Sequence, residues 1–259
     1  MNFFEDVKDR INDLAKSYSQ NTDGNEYGDE YFNVSYVSDT SIEISEYLDG
    51  NCREYTETDP AVINKDWIRD RIIITDSAIE LDLHVDPEIM AEWISDSVDA
   101  TMLMTLDHII ITNNSEEDYD FLSMMDDRYA YMLECSDLPG EETAGLMWYN
   151  YQMVFVNMGT LVSSADEMVA DGLLYEWERN SEINEWVATT VAHEIRHLAQ
   201  ANPFMREDIL QQVGDDEADA EEYALRICDR GVPWMLNADG RIFSGTITDS
   251  SHWIDEPEI

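Results

Sequence analysis

The first third of the chain switches between the helical and the strand spacing of apolar residues. Up to about residue 20, apolar positions recur every three or four residues and predict an amphipathic helix. These positions are Phe4, Val7, Ile11 and Leu14. After a polar stretch at residues 21–29, the alternating runs YFNVSYV and SIEISEY predict β-strands. The runs RIIIT and AIELDLHV, separated by Asp76 and Ser77, predict a hairpin, and Pro87 opens a predicted helix through Met104.

The middle of the chain predicts further strands before its pattern becomes helical. DHIIIT is a predicted strand, and residues 113–127 are predicted to form an acidic loop or short helix. LMWYNYQMVFVN predicts two short strands or one bent strand. The S-x-x-E pattern that begins at Ser164 is a capping box and predicts a helix to about Arg179.

Two more predicted helices follow. Asn180 and Ser181 are candidate caps for the first of them, which Pro203 ends. The second is predicted from Glu207 to Asp229, because a Gly and a Pro follow within a few residues. The C-terminal half therefore predicts a strand, a helix, and then a pair of helices joined by a turn.

The first helix of this pair contains His193-Glu194-Ile195-Arg196-His197, an H-E-x-x-H motif. Positions i and i+4 lie on one face of a helix, a single turn apart, so both imidazoles can bind one metal ion. Glu194 follows the first histidine, where a carboxylate can accept a proton from a water molecule on the metal. Zinc lowers the pKa of such a water towards neutrality. The motif therefore predicts a hydrolytic zinc site.

A third ligand is expected from the helix that follows. Glu217 lies three and seven positions before Ala220 and Ala224, so a stripe of small residues accompanies this carboxylate. Such a stripe lets the helix lie close to the motif helix, as an inward-facing glutamate requires. Only Glu217 and Glu221 share the alanine face. The rival carboxylates are Asp215, Asp216, Asp219, Glu221 and Glu222.

This combination resembles the gluzincin metallopeptidases, because HEIRH is followed, twenty positions after His197, by E-x-x-A-x-x-Y-A. The likeness covers about residues 145–230. It implies that His193, His197 and Glu217 are ligands of Zn²⁺ and that Glu194 is the general base. It also implies that the strand MVFVN is a sheet edge that pairs with an extended peptide substrate.

The sequence differs from the family pattern at two positions. Arg196 places a charge where the pattern prefers an uncharged residue. Glu221 stands where many relatives have aspartate, and by the resemblance it would orient a ligand histidine from outside the ligand set. The second difference leaves the metal prediction unchanged.

Two other residues are candidates for catalysis. Tyr223 could donate a hydrogen bond to a developing oxyanion; the alternative is aromatic packing between two helices. His252 is the histidine that follows the motif, and it could stabilise a tetrahedral intermediate. Its alternative is an ordinary surface or packed histidine.

The charge of the chain is strongly one-sided. It has 14 Lys and Arg residues against 58 Asp and Glu residues, and a net charge of −44 disfavours direct binding to nucleic acid or to an anionic membrane. The hydrophobic fraction of 44% still suffices for a sizeable core. Three interpretations of the acidity stay open: adaptation to high salt, mimicry of DNA, and simple high solubility. The scarcity of lysine, at Lys8, Lys16 and Lys65, favours the first.

The sequence predicts the location of the protein from targeting signals and the redox state of its compartment from the cysteines, which indicate a reducing one. The chain has no run of about 18 apolar residues and no signal-like N-terminus, so we expect a soluble, cytoplasmic protein. A virion-associated accessory protein is an alternative. Cys52, Cys135 and Cys228 are odd in number and far apart, which argues against a disulfide framework and against a cysteine zinc site.

Together these features predict an α+β fold with a zincin-like metallopeptidase domain at residues 101–245, built from a small mixed sheet, an active-site helix and a glutamate helix. Residues 1–100 are expected to form an α/β region of helix and β-hairpins with no assigned role, and residues 246–259 a C-terminal tail. The predicted function is zinc metalloendopeptidase action on a protein or peptide substrate. The alternative is an acidic interaction protein or DNA mimic, of an anti-restriction kind, whose zinc site is structural or vestigial. The oligomeric state stays open.

Overall fold

The described residues form short strands and helices that together give a mixed α+β fold. The computed structural model describes residues 3–21, 32–48, 51–79, 81, 83–113, 118, 143–149, 151–205, 209 and 214–238. The predicted tail and most of the predicted acidic segment at residues 113–127 lie outside the described residues. Among the described helices, none has both the length and the apolar composition that crossing a membrane requires.

The N-terminal region consists of one helix and one antiparallel sheet. Helix α1 spans Phe3–Asn21, and strands β1, β2 and β3 span Phe32–Ser38, Ser41–Leu48 and Asn51–Thr58, paired in that order. The predicted helix and the first two predicted strands are confirmed. The helix and the sheet share a small core of their own. Its buried members are Val7, Ile11, Ile42, Ile44 and Tyr55.

Five short elements follow this sheet. They are α2 (Lys65–Arg69), β4 (Ile72–Ile74), α3 (Asp76–Ile79), β5 (Leu83–Val85) and α4 (Pro87–Ser97). The predicted hairpin of RIIIT with AIELDLHV is wrong, because β4 pairs in parallel with β6 (Ile109–Thr112) and β5 pairs antiparallel with β9 (Leu236–Ala238). Consecutive apolar residues, as in β4, are typical of parallel strands, whose partners are distant in sequence.

Helix α4 is shorter than predicted. It begins at Pro87, as expected, but ends at Ser97 instead of Met104. Asp99 starts a separate 3₁₀ turn over Ala100–Leu103, where its carboxylate accepts a backbone N–H within that turn. A capping aspartate thus interrupts what the apolar spacing alone predicts as one helix.

The larger sheet has four strands in the order β4-β6-β8-β7. Strand β7 spans Gly145–Trp148 and β8 spans Met153–Asn157, so the two-strand interpretation of this segment is confirmed. Strands β4, β6 and β8 are parallel, and β7 is antiparallel to β8 at one edge. The expectation that MVFVN forms the edge is wrong: β8 lies between β6 and β7, and all its residues are buried. An apolar strand without alternation is typical of a sheet interior.

Helix α5 spans Met158–Ala170 and directly follows β8. The capping box predicted at Ser164 is wrong, because this residue lies in the middle of the helix. The cap is Asn157, whose side chain accepts the backbone N–H of Thr160 at 3.1 Å. An asparagine at the end of a buried strand therefore starts the helix.

Helix α6 spans Arg179–Ala201 and contains the H-E-x-x-H motif. It begins before its predicted caps, Asn180 and Ser181, and ends ahead of Pro203 as predicted. Helix α7 spans Asp216–Cys228, a later start than predicted. Gly214 adopts a φ of +75°, and Asp215 caps α7 by accepting two backbone N–H groups of its first turn.

The main core lies between one face of the larger sheet and helices α4 to α7. Residues from both sides of position 100 contribute to it, for example Ile94 of α4 and Val191 of α6. The opposite face of the sheet carries a smaller cluster around Phe155 and Trp148. The predicted domain boundaries at residues 100 and 245 stay predictions.

Helices α6 and α7 pack antiparallel to each other. Residues later in α6 contact residues earlier in α7. The contacting pairs are Thr189 with Cys228 at 3.6 Å, Arg196 with Asp219 at 2.6 Å, and Gln200 with Asp216 at 2.8 Å. Ala220 and Ala224 have no exposed surface, as the predicted alanine stripe requires. Small side chains thus allow the first turn of α7 to lie beside the motif.

Replacing Ala220 by Leu is expected to destabilise the protein by about 1–3 kcal/mol, because the interior beside α6 has no space for the added atoms. The control is the same change at Ala218, which is exposed on the same helix. That control is expected to change the free energy of unfolding by less than about 0.5 kcal/mol. Urea denaturation measures both variants, and equal losses at the two positions would contradict the packing.

Candidate metal centre

His193 and His197 lie one turn apart on the same face of α6. Their Nε2 atoms are 3.0 Å apart, and the two rings meet edge to face at 78°. Burial, together with the neighbouring His197, lowers the pKa of His193. The ring of His193 therefore favours the neutral form, which is the form that binds a metal ion.

The third group comes from the first turn of α7. The carboxylate of Glu217 approaches both rings, with Oε2 3.5 Å from His193 Nε2 and Oε1 3.4 Å from His197 Nε2. Its side chain is 77% exposed, so solvent reaches the point where the three groups meet. Glu221, the other glutamate on the alanine face, does not belong to this group.

The geometry of the three groups fits a metal ion. Zinc ligands at 2.0–2.1 Å in a tetrahedron lie about 3.3 Å from one another. The observed separations of 3.0, 3.4 and 3.5 Å are close to that value. His193, His197 and Glu217 therefore form a group that could hold a metal ion, as the sequence predicts.

Glu194 lies beside this group and is 6% exposed. Burial raises the pKa of its carboxyl group to about 8, against the opposing effect of a hydrogen bond from the backbone N–H of Met147. The negative charge of Glu217 raises it further. The carboxyl group thus lies between the motif helix and the edge strand β7.

A cleft of about 400 Å³ contains the group and is bounded by β7, α6 and the start of α7. Apart from the two histidines, the ionisable side chains that line it are acidic: Glu194, Asp216 and Glu217. Its other lining residues include Gly145, Met147, Tyr149 and Ala201. Such a site suits a cation at the convergence of the ligands.

A hydrogen-bond network contacts the Nδ1 atom of His197, whereas the Nε2 atom of this ring faces His193 and Glu217. Its Nδ1 atom lies 2.7 Å from Gln200 Oε1, and Gln200 Nε2 donates to Asp219 Oδ2 at 3.0 Å. Arg196 donates to the same carboxylate through two nitrogen atoms, at 2.6 and 3.1 Å. Burial alone would raise the pKa of Asp219, but these hydrogen bonds lower it. The charged residue that departs from the gluzincin pattern, Arg196, is thus paired.

The N-terminal sheet reaches the end of the cleft through Arg53 of β3. Its NH1 donates to the carbonyl oxygen of Ala201 at 2.9 Å, and its guanidinium lies 4.1 Å from the centre of the Tyr149 ring. Arg53 is 7% exposed and pairs with Glu46 at 3.6 Å. The sequence predicted no role for this arginine, because R-x-Y-x-E is a polar pattern that does not mark a buried face.

Of the remaining predicted site residues, Tyr223 and Glu221 do not belong to the candidate metal group. Tyr223 is 3% exposed in the main core, below the guanidinium groups of Arg196 and Arg226, and does not line the cleft. Glu221 is exposed, and within the described part of the chain no hydrogen bond joins it to either histidine. His252 lies outside the described residues. The roles assigned to these three residues stay predictions. Gln200 is a site residue that the sequence did not single out, and Asp219 was considered there only as a rival third ligand.

Comparisons of the chain with protein-family models, curated proteins and solved structures returned no match. The resemblance to gluzincins therefore rests on the motif and on the arrangement of its side chains.

Zinc titration of the metal-free protein is expected to show one ion bound per chain, by calorimetry and elemental analysis. His193→Ala is expected to weaken zinc binding by more than about 100-fold, since loss of an outer partner alone costs 10–100-fold. Glu222→Gln, an exposed position on α7, is the control and should leave the affinity unchanged. Full zinc binding by His193→Ala would contradict the assignment.

Gly145 is expected to be essential to the contact between β7 and α6. A Cβ atom there would lie 2.3 Å from Thr190 Cγ2 and 2.8 Å from Glu194 Oε1. Gly145→Ala should therefore destabilise the protein by about 1–3 kcal/mol. Thr190→Ser removes the clashing methyl group, so the double variant should lose at least about 0.5 kcal/mol less than the sum of the single losses. Additive losses in urea denaturation would rule out this contact.

Proposed function

We propose that this protein is a zinc-dependent metallopeptidase of the gluzincin type. The observation that carries the proposal is the convergence of two imidazoles of an H-E-x-x-H helix with a carboxylate of the next helix, in a cleft that also holds a buried glutamate. The proposed ligands are His193, His197 and Glu217, and the proposed general base is Glu194.

The ligand set favours a catalytic zinc site over a structural one. Catalytic sites use three protein ligands, often two histidines and a glutamate, and keep a fourth position free, whereas structural sites use four protein ligands. Among the described residues, the group contains three candidate ligands. Zinc held by these three residues would supply Lewis-acid polarisation of a carbonyl group and would make a water molecule easier to deprotonate.

Glu194 acts as the general base in this proposal. A base works best when its pKa is near the working pH, and the burial of Glu194 moves its pKa in that direction. Its carboxylate accepts a proton from the attacking water and then delivers that proton to the leaving amine. The hydrogen bond from Met147 holds the carboxyl group against the edge strand, on the side of the cleft.

Strand β7, in place of the originally expected β8, is the proposed docking edge for an extended substrate. The backbone N–H of Met147 points to Glu194 and not to β8. Because backbone groups of an antiparallel strand alternate in direction, the N–H and C=O groups of Gly145 and the C=O group of Met147 also point away from β8, whereas the N–H of Met147 is already donated to Glu194. Both residues line the cleft. A peptide added to this edge would pass beside the ligands, a β-augmentation mode.

Glu194→Gln should retain zinc and lose about 10²- to 10⁴-fold in turnover, because glutamine keeps the size of the side chain but cannot accept the proton. The matched control is Glu185→Gln, at an exposed position of the same helix. Hydrolysis of a quenched-fluorescent peptide library, with and without a chelator and at low and high salt, measures the effect. Undiminished, chelator-sensitive cleavage by Glu194→Gln would refute this role.

The acidity of the chain supports a second function of a different class. A protein with a net charge of −44 can occupy a DNA-binding partner in place of phosphates. Such a mimic would displace DNA from a basic partner with a steep dependence on salt and would not respond to chelators. Peptide cleavage that is lost with a chelator favours the peptidase.

A further inference from the structure

Gln200 is a buried amide that belongs neither to the motif nor to the ligand set, yet it contacts one ligand directly. We propose that Gln200, held by the Asp219–Arg196 ion pair, is a positioning residue that fixes the tautomer and orientation of His197. This inference rests on the metal centre of the proposed function and adds a residue that orients one of its ligands.

The orientation of the Gln200 amide is determined by its partners. The side chain is 4% exposed, and its nitrogen donates to the carbonyl oxygen of Asp216 at 2.8 Å and to Asp219 Oδ2 at 3.0 Å. Both partners only accept hydrogen bonds, so the group that faces them must be the NH₂. The oxygen atom is therefore the one that faces His197.

This orientation selects one tautomer of the ring. Gln200 Oε1 lies 2.7 Å from His197 Nδ1 and has no proton to give. The Nδ1 atom must then carry the proton, and Nε2 keeps its lone pair. That lone pair faces the convergence with His193 and Glu217. Loss of the glutamine would leave the ring free to adopt the other tautomer, which cannot bind a metal through Nε2.

The Asp219 carboxylate holds the glutamine in place and links the two helices. Arg196 binds both of its oxygen atoms, and Asp219 is 7% exposed. Two-point pairing of a guanidinium with a carboxylate is strong and directional. Arg196 and Gln200 belong to α6, whereas Asp219 lies on α7, two positions after Glu217. The same contact therefore orients His197 and fixes the helix turn that carries the third ligand.

Gln200→Met tests the proposal, because methionine preserves the length of the side chain and removes its hydrogen bonds. We expect zinc affinity to fall by about 10- to 100-fold in calorimetry, the range for loss of an outer partner of a ligand histidine. In the metal-free protein, ¹⁵N NMR should show a protonated Nδ1 on His197 in the natural chain and a shift towards a protonated Nε2 in Gln200→Met. The chain has five histidines, so single substitutions assign the signals.

A second variant separates positioning from packing. Gln200→Glu retains an oxygen acceptor for Nδ1, so it should keep the tautomer even if the charge beside Asp219 lowers stability. A merely structural role predicts no tautomer change in either variant. Unchanged zinc affinity in Gln200→Met, or an unchanged tautomer, would overturn the proposal.

The measurements also distinguish this inference from the proposed function. Zinc binding with the expected tautomer but without peptide cleavage would leave the role of Gln200 standing and reject the peptidase. Absence of zinc binding in the natural chain would reject the zinc centre, and the tautomer in the metal-free protein would still decide whether Gln200 orients His197. Asp219→Asn, which weakens the pairing with Arg196, should lower the zinc affinity in the same direction as Gln200→Met.

Discussion

The close antiparallel packing of α6 and α7 is the constraint on which the candidate centre depends. Two histidines one turn apart give only two ligands, and a third can come from another helix only if the two backbones approach closely. Ala220 and Ala224 permit that approach because they add almost no side-chain volume between the helices. The Asp219 contacts with Arg196 and Gln200 then fix the axial position of α7, and with it the height of Glu217 relative to the rings.

The motif and the third member of the candidate metal group could be predicted because they depend on local spacing. A histidine pair at i and i+4 shares a helix face in any helix, and Glu217 could be chosen with the help of small residues three and seven positions later. Partners that are distant in sequence could not be chosen in this way. The pattern of β4 and β5 is compatible with a hairpin, but β4 pairs with β6 and β5 with β9. The orientation of Gln200 likewise depends on an aspartate of another helix.

The sequence contained a signal that the strand MVFVN lies inside the sheet and not at its edge. MVFVN contains no alternation of apolar and polar residues, and such runs are typical of strands covered on both faces. The shorter run GLMW, with a glycine at its start, is the edge strand instead. A residue without a Cβ atom is needed at this position, because Gly145 lies against Thr190 and Glu194 of α6. The edge strand and the motif helix therefore meet where a larger side chain would separate them.

The buried carboxylates give an independent argument for a cation in this cleft. Within the described residues they are Glu46, Glu57, Asp86, Asp118, Glu194 and Asp219. Three of these six pair with arginines: Glu46 with Arg53, Glu57 with Arg10 and Asp219 with Arg196. Two more, Asp86 and Asp118, each accept several hydrogen bonds, and the sixth is Glu194.

Glu194 differs from the other five buried acids. Among the described residues, its hydrogen-bond donor is the backbone N–H of Met147, and the charge that acts on it, that of Glu217, is negative. A buried carboxylate without a compensating charge is costly, and such groups are found at functional sites. Among the described residues the other buried acids are paired or capped, whereas Glu194 lies beside the imidazoles of His193 and His197 and the carboxylate of Glu217. A metal cation held by His193, His197 and Glu217 would supply the positive charge that Glu194 lacks.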